Sequence, residues 1–372
     1  MKVGLITLFR NNYGSILQCY ATCEFLKSQG YECEVLSEKC EKETIMHHIV
    51  RWCKNILRSM LYRDYLKNKI KMKKAMIKEG VFLSSKTKEK MDDFISSRFT
   101  VREITLTDLK KNMSIYDYYV IGSDQVWNAS REISDFYFLS FVNEDKKIAL
   151  APSIGVDKIP SYNKKIQKKI CSFKKLSLRE ETAVRIISSF YNGEIVRVGD
   201  PTLLIETDDW RKLSDSILCK EDDFILLHFL NAPCDNALKN IKKYEDNSRY
   251  AIIAIGYKHC EYNIISNIKF IDASPEEYIS LIDNAEIVFT DSFHSSLFCI
   301  NMETEFFCYE RQYLHGKSQT SRITDMLNRY GYSERFIRTD SCLPINKKRI
   351  SNISLNYDRQ RLKLYLLDEL GK

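Results

Sequence analysis

Residues 285–310, AEIVFTDSFHSSLFCINMETEFFCYE, constrain the fold more than any other stretch. They read as a strand over 286–290, a polar corner (Asp291-Ser292-Phe293-His294-Ser295-Ser296), a short apolar helix and a second strand over 305–309. The strands are apolar nearly throughout rather than alternating. That pattern belongs to a parallel sheet covered on both faces. In an open α/β sheet the crevice beyond the carboxyl ends of the strands is where ligands bind. Free N–H groups at the helix start favour an anion there. The corner has two readings. Either Asp291 or Ser292 merely caps the helix and His294 is a surface residue, or the corner is one wall of a site.

The same form recurs along the chain. A strand over 3–8 runs into Arg10-Asn11-Asn12-Tyr13-Gly14-Ser15, and a helix with Ile16, Leu17, Tyr20, Ala21, Phe25 and Leu26 on its apolar positions follows. Gly30 stops the helix before a strand over 32–36. Gly14 is the one glycine of that loop, so the dinucleotide fingerprint is missing. Asn11, Asn12 and Gly14 form either a backbone-and-amide ligand site or a plain turn. A strand over 116–121 leads into Gly122-Ser123-Asp124-Gln125-Val126-Trp127-Asn128. The glycine lets backbone approach a ligand, and Asp124 is placed to accept a proton or bind sugar hydroxyls. Trp127 is either a core aromatic or a stacking face for a sugar. A strand over 147–155 ends in Ser153 and Gly155, and a basic helix over 163–173 follows. A short strand over 176–178 leads to Arg179-Glu180-Glu181. There Arg179 either grips a carboxylate or phosphate with its planar fork or pairs with its acidic neighbours. A strand over 195–198 and Gly199-Asp200-Pro201-Thr202 close the first half, and Glu206-Thr207-Asp208-Asp209 marks the connection between domains.

The second half repeats the pattern, with strands over 224–230, 250–257 and 268–271. Ser274-Pro275-Glu276-Glu277 is a helix start, with a Ser cap, Pro in the first turn and acids behind it. Beyond residue 310 comes a polar, basic loop with Arg311, His315, Lys317, Ser318 and Ser321, and Arg322 opens a helix over 323–330. The last helix, with Leu362, Leu364, Leu366, Leu367 and Leu370, is expected to cross back to the first domain. The expected architecture is α/β: two Rossmann-like domains facing a cleft, as in the glycosyltransferase-B fold. The expected boundaries are 1–205, 206–354 and a terminal helix over 355–372. The corners of the first domain (Asn12, Gly14, Ser123, Asp124) suit a sugar. Those of the second, with Arg179 nearby, suit an anion.

Composition narrows the class. A chain of 372 residues with 44% hydrophobic residues holds about two domains with real cores. It lacks the ~18-residue apolar run that a membrane-spanning helix needs. The N-terminus, MKVGLITLF followed by Arg10-Asn11-Asn12, reads as a strand rather than a signal peptide. Twelve cysteines show no CxxC pair, and Cys33, Cys299 and Cys308 lie in apolar element interiors. This fits small hydrophobes in a reducing cytoplasm rather than a metal cluster. The formal charge of +7 is concentrated in 54–90 and 158–175. Residues 41–97 read as a basic helical insertion in the first domain. It either covers the mouth of the cleft, touches an anionic membrane surface or presents solvated helix faces. No aromatic platform or reader motif accompanies the basic runs, so nucleic acid is not an expected partner.

Six motifs in order carry a resemblance. They are Asn12-Tyr13-Gly14 with Leu17-Gln18 and Tyr20-Ala21; Ile121-Gly122-Ser123-Asp124-Gln125-Val126-Trp127-Asn128; Ser177-Leu178-Arg179-Glu180; Gly199-Asp200-Pro201-Thr202; Asp291-Ser292-Phe293-His294; and Ser321-Arg322-Ile323. Together they resemble the polysaccharide pyruvyl transferase family. The resemblance implies a fold similar to glycosyltransferase-B. It also implies transfer of an enolpyruvyl unit from phosphoenolpyruvate to a sugar diol, giving a pyruvate ketal and phosphate. Phosphoenolpyruvate would be a co-substrate, with no other cofactor and no metal, and the acceptor a sugar or lipid-linked oligosaccharide. On that reading His294 is the general acid and Asp124 orients or deprotonates the attacking hydroxyl. Arg179 and Arg322, with Ser292, Ser295 and Lys317, hold the donor. Asn12, Gly14, Ser123 and Trp127 lie on the acceptor side. One position departs from the family. An Arg usually stands two residues before the histidine, and here it is Ser292; Arg311, Lys317 and Arg322 are the candidates to replace it. Two alternatives remain. One is a nucleotide-sugar glycosyltransferase with Asp124 as base, against which stands the lack of two Glu eight apart in 294–310. The other is a non-catalytic carbohydrate-binding relative.

Overall fold

The computed structural model describes residues 1–39, 60, 83–130, 132–214, 223–247, 250–311, 320–338, 341, 343 and 349–372. The first sheet contains β1 (Lys2–Ile6), β2 (Glu32–Glu38), β3 (Val101–Ile104), β4 (Tyr118–Ile121), β5 (Lys147–Ala149), β6 (Lys175–Leu178) and β7 (Glu194–Arg197). The second contains β8 (Phe224–His228), β9 (Ala251–Ile255), β10 (Ile268–Ile271), β11 (Ile287–Thr290), β12 (Phe306–Tyr309) and β13 (Phe336–Ile337). The helices are α1 (Tyr13–Ser28), α2 (Ser85–Arg98), α3 (Leu106–Lys111), α4 (Lys165–Ile170), α5 (Glu181–Ile187), α6 (Thr207–Ser214), α7 (Asp235–Asn247), α8 (Pro275–Asn284), α9 (Phe293–Met302), α10 (Thr320–Tyr330) and α11 (Asn356–Glu369).

Every strand pairing is parallel. The strand order is β3-β2-β1-β4-β5-β6-β7 in one sheet and β10-β9-β8-β11-β12-β13 in the other. The central strands are buried on both faces, as their unbroken apolar runs require. Each sheet has one switch point, between β1 and β4 and between β8 and β11, where successive connections turn to opposite sides. The crevice of an open α/β sheet opens there. Two Rossmann-like domains result.

The chain turns earlier than its apolar run implies in one place. The expected strand over 147–155 ends as β5 at Ala149. Beyond it Ala151 and Gly155 take positive φ, and the segment pairs with the loop after β4 through Ser153 N–H to Asp124 O (2.8 Å) and Ala129 N–H to Ile154 O (2.9 Å). Of the basic insertion expected over 41–97, the part before Leu83 lies outside the described residues, Met60 excepted. The remainder forms α2, capped by Ser84.

Contacts between the domains are specific. Tyr13, at the start of α1, stacks on Tyr278 of α8 (centroids 4.5 Å apart, planes 12° apart), and its hydroxyl donates to Ala273 O at 2.8 Å. Lys90 of α2 pairs with Glu277 at 2.7 Å, and Thr87 Oγ1 donates to Asp272 at 2.9 Å. The terminal helix α11 lies against the first sheet, with Tyr365 OH donating to Ala149 O at 3.0 Å. Among the described residues no helix is long and apolar enough to cross a membrane.

Tyr13 should therefore hold the domains together mainly by packing. Tyr13→Ala is expected to cost about 3–5 kcal/mol by loss of a buried aromatic, and Tyr13→Phe only about 1–3 kcal/mol by stranding the Ala273 carbonyl. Urea denaturation of both variants checks this; equal losses would mean that the hydrogen bond, not the stack, carries the contact.

Candidate active site

The two switch points bring α1 and α9 together by their first turns. Asn12 caps α1, its side chain accepting from Ser15 N–H at 3.2 Å, and Ser292 caps α9 by accepting from Ser295 N–H at 3.3 Å. Gly14 lies directly under the His294 ring. A Cβ placed there would fall 2.1 Å from His294 Cγ and Nδ1. Only glycine permits this approach of one domain to the other.

A buried polar cluster sits at this junction. Asp124 follows β4 in a backbone conformation that L residues rarely adopt (φ 60°, ψ −166°). The Ser153 amide holds its carbonyl, and Ser15 Oγ donates to its Oδ2 at 2.5 Å. Strain of this kind costs of order 1–3 kcal/mol and clusters at functional sites. Arg179 follows β6 with its side chain 1% exposed. Its Nη1 donates to Asp200 Oδ2 and to Ser123 Oγ (2.9 Å), and its Nε donates to Glu180 Oε1 at 3.4 Å. Its Nη2 stands 3.7 Å from Asp124 Oδ1 without a hydrogen bond, and the guanidinium covers the Phe293 ring at 4.6 Å. The ion pair with Glu180 that the sequence allows is present, but Asp200 is the closer partner. His294, the second residue of α9, places Nε2 3.6 Å from Asp200 Oδ2.

Electrostatics keep the carboxylates charged. Burial pushes the Asp200 carboxyl up, but Arg179, His294 and the Thr202 amide outweigh it, and the net shift is well below the carboxylate range. Asp124 moves the same way: burial raises it, while His294, Arg179, the Ser15 hydroxyl and Arg322 lower it further. Arg322, buried on α10, is lowered by burial and by Arg179 and Arg311, and raised by Glu180 and Asp124. It belongs to the same cluster. Arg311 is committed elsewhere, donating from Nε to Asp291 Oδ2 (3.2 Å) and from Nη2 to Asp291 O (2.9 Å). Asp291 also accepts the amides of Leu230 (2.7 Å) and Asn231 (3.1 Å), so it fixes the loop after β8.

Several sequence-derived positions do other work. Trp127 is a core residue, 0% exposed, stacked on Phe138 and edge-on to Phe173, with Nε1–H donating to Tyr137 O. No face is left for a sugar, which corrects its expected acceptor role. Ser123 is fully buried and orients Arg179 rather than reaching an acceptor. Asn12 acts as a helix cap and Gly14 as a seat for His294. Ser295 Oγ binds His228 Nδ1 (2.7 Å) and Tyr278 OH (3.0 Å) instead of facing Arg179. Lys317 lies outside the described residues. Three residues were not assigned from sequence. They are Asp200, quoted only within a turn motif, Ser15, and His228. The one signal for His228 was a histidine closing an otherwise apolar strand. Among the described residues no group of three or more His, Cys, Asp or Glu is arranged to hold a metal ion.

Residues 12–313 match the family model for polysaccharide pyruvyl transferase. The chain belongs to this family. It is thus a member of a transferase family. No curated protein matches it by sequence. Among solved structures it is similar to UDP-GlcNAc 2-epimerase from Neisseria meningitidis bound to UDP-GlcNAc, at 10% identity and a TM-score of 0.50, with all of both chains covered. It is similar to the S. aureus MnaA–UDP structure at 10% identity and 0.52, covering 100% of this chain and 88% of that one. UDP-N-acetylglucosamine 2-epimerase from Rickettsia bellii gives 10% and 0.50, with 100% and 96% covered. These likenesses establish the glycosyltransferase-B fold for this pyruvyl transferase family member.

His228 at the junction is held uncharged near neutral pH. Burial, then Arg311, His259 and His294, push His228 down to about 3. The unfolded chain takes up that proton near pH 6.5. Stability from His228 is therefore complete above about pH 6.5 and falls as pH drops toward its folded value, by up to about 1.4 kcal/mol per pH unit. His228→Gln should flatten that part of the stability profile in urea denaturation between pH 7 and pH 5. A slope equal to wild type would remove His228 as its source.

Proposed function

We propose that this chain transfers a pyruvate ketal from phosphoenolpyruvate to a sugar of a cell-surface or exopolysaccharide precursor. The observation that carries the reading is the meeting of His294 and Arg179 on one buried carboxylate, Asp200, between the two domains. A proton donor and an anion-binding fork are thereby held side by side.

His294 delivers a proton to the methylene carbon of phosphoenolpyruvate, which becomes a methyl group. A sugar hydroxyl attacks the cationic carbon, and phosphate departs as its C–O bond breaks. A second hydroxyl closes the ketal. Of the two hydroxyl protons released, one restores His294 and one leaves on phosphate. Arg179 and Arg322 hold the donor's carboxylate and phosphate and offset the charge that develops on the leaving group. Asp124 is held ionised by its cationic neighbours, which weakens it as a base and suits it to orienting the hydroxyl. With Ser292 where the family usually has Arg, Arg322 is the replacement we favour, because it shares the field of Arg179. A lipid-linked acceptor would bring the enzyme to the cytoplasmic face of a membrane, with the basic segment after β2 as a peripheral contact. The free cysteines fit a reducing compartment.

Incubation with phosphoenolpyruvate and a galactose- or mannose-bearing lipid-linked oligosaccharide should release phosphate and add one pyruvate ketal to the acceptor's mass. His294→Ala should cut turnover at least about a hundredfold, the usual worth of a general acid, without unfolding the protein, as circular dichroism checks. Transfer from a nucleotide sugar alone would make the chain a glycosyltransferase instead. Sugar binding without turnover would make it a non-catalytic relative.

A further inference from the structure

Asp200 has two oxygens with separate duties. Oδ1 accepts from both the amide and the hydroxyl of Thr202, each at 2.9 Å, which ties the carboxylate to its own turn. Oδ2 is thereby aimed one way, into the junction. It binds Arg179 Nη1 and stands 3.5 Å from Ser123 Oγ and 3.6 Å from His294 Nε2. The side chain is 0% exposed. Two hydrogen-bonding deficits flank it: His294 Nε2 and Arg179 Nη2 are buried, and neither makes a hydrogen bond. A small displacement of the ring closes the first deficit. An anion bound at Arg179 Nη2 closes the second and draws charge away from Oδ2.

We propose that Asp200 is a positioning residue that couples capture of the anionic donor by Arg179 to protonation of His294. With an anion on Nη2 sharing the Arg179 charge, Oδ2 takes up the Nε2–H of a protonated His294. The acid is thus charged when a substrate is present to receive its proton. This rests on the donor and acid roles proposed above for Arg179 and His294. Among the described residues, the other charged or titratable groups of His294 and its cluster are Asp124 after β4, Arg179 with Glu180 after β6, His228 at the end of β8 and Arg322 on α10. Behind Asp200 lies Tyr330 of α10, hydrogen-bonded to Asp358 of α11. The first turn of α1 packs Gly14 on the ring and carries no charged side chain. Of these carboxylates, Asp200 is the one within 4 Å of the imidazole nitrogen.

The test is a titration of His294 in the full-length protein, by nitrogen-15 NMR of histidine-labelled enzyme assigned with a His294→Gln sample. Phosphoenolpyruvate binding is followed in parallel by calorimetry. In wild type, phosphoenolpyruvate should raise the ratio of protonated to neutral His294 at fixed pH about tenfold, one decade being one pH unit of displacement. Asp200→Asn keeps an acceptor for Arg179 and removes the charge. It should abolish that rise, lower kcat at least about tenfold and move the alkaline limb of kcat to lower pH, with KM for phosphoenolpyruvate changed less than about threefold. Asp200→Glu should restore the limb, and the neutral Asp200→Ser takes the place of the Asn variant if that one does not fold. Phosphoenolpyruvate that binds wild type without changing His294, or a rise that survives in Asp200→Asn, overturns the coupling. Absence of binding overturns the donor reading on which it rests.

Discussion

The Arg179–Asp200 ion pair is the contact on which the junction depends. Both side chains are out of water. Removing two charges from water costs several kcal/mol per ion, and the attraction repays this only when the remaining donors and acceptors are also satisfied. Here they largely are. Thr202 supplies two donors to Asp200, while Ser123 and Glu180 accept from Arg179. The participants come from the carboxyl ends of β4, β6 and β7, so the pair ties that edge of the first sheet together. It also fixes the plane of the guanidinium against Phe293, the first residue of α9. The second domain is seated partly on that plane, and His294 is the next residue in sequence.

Parallel topology explains why the chemistry gathers at one place. Both sheets reverse direction at a central strand pair, and each reversal leaves a crevice over its carboxyl edge. The helices that start there, α1 and α9, turn their positive ends toward the junction. Asp124 and Asp200 stand among those ends and the arginines, which is why burial does not neutralise them. Burial, with Arg311 and the neighbouring histidines, keeps His228 uncharged, while His294 has Asp200 at its Nε2. Of the two histidines at the crevice, one thus bonds a serine hydroxyl and the other faces a carboxylate.

Local order was legible in the sequence because its causes are local. The capping box of Ser274 and Glu277 forms as its spacing implies, and the apolar runs of β1, β4, β8 and β11 became central strands. Trp127 shows where such reading stops. Its role was decided by Phe138 and Phe173, which no local pattern links to it. The strand expected to continue to residue 155 ended early because its backbone is needed to hold Asp124. Asp200 stood in a recognisable Gly-Asp-Pro-Thr turn, yet its function comes from Arg179, 21 residues away, and from His294 in the other domain. Sequence exposes which residues sit at strand ends. It does not expose which of them face one another across two sheets.

The serine at position 292 follows from the same geometry. That residue is the cap of α9, and its hydroxyl accepts the Ser295 amide. Arginine cannot cap in this way, so Ser292 secures the helix start and brings no cation to it. Nearby positive charge comes instead from α10. Asp325 accepts the Thr182 amide at 2.9 Å and docks that helix on α5, with Arg322 buried beside the Arg179–Glu180 pair. Arg311 instead binds Asp291, which holds the loop after β8. On the proposed reading, one arm of the anion site is therefore supplied by the first domain and the other by the second.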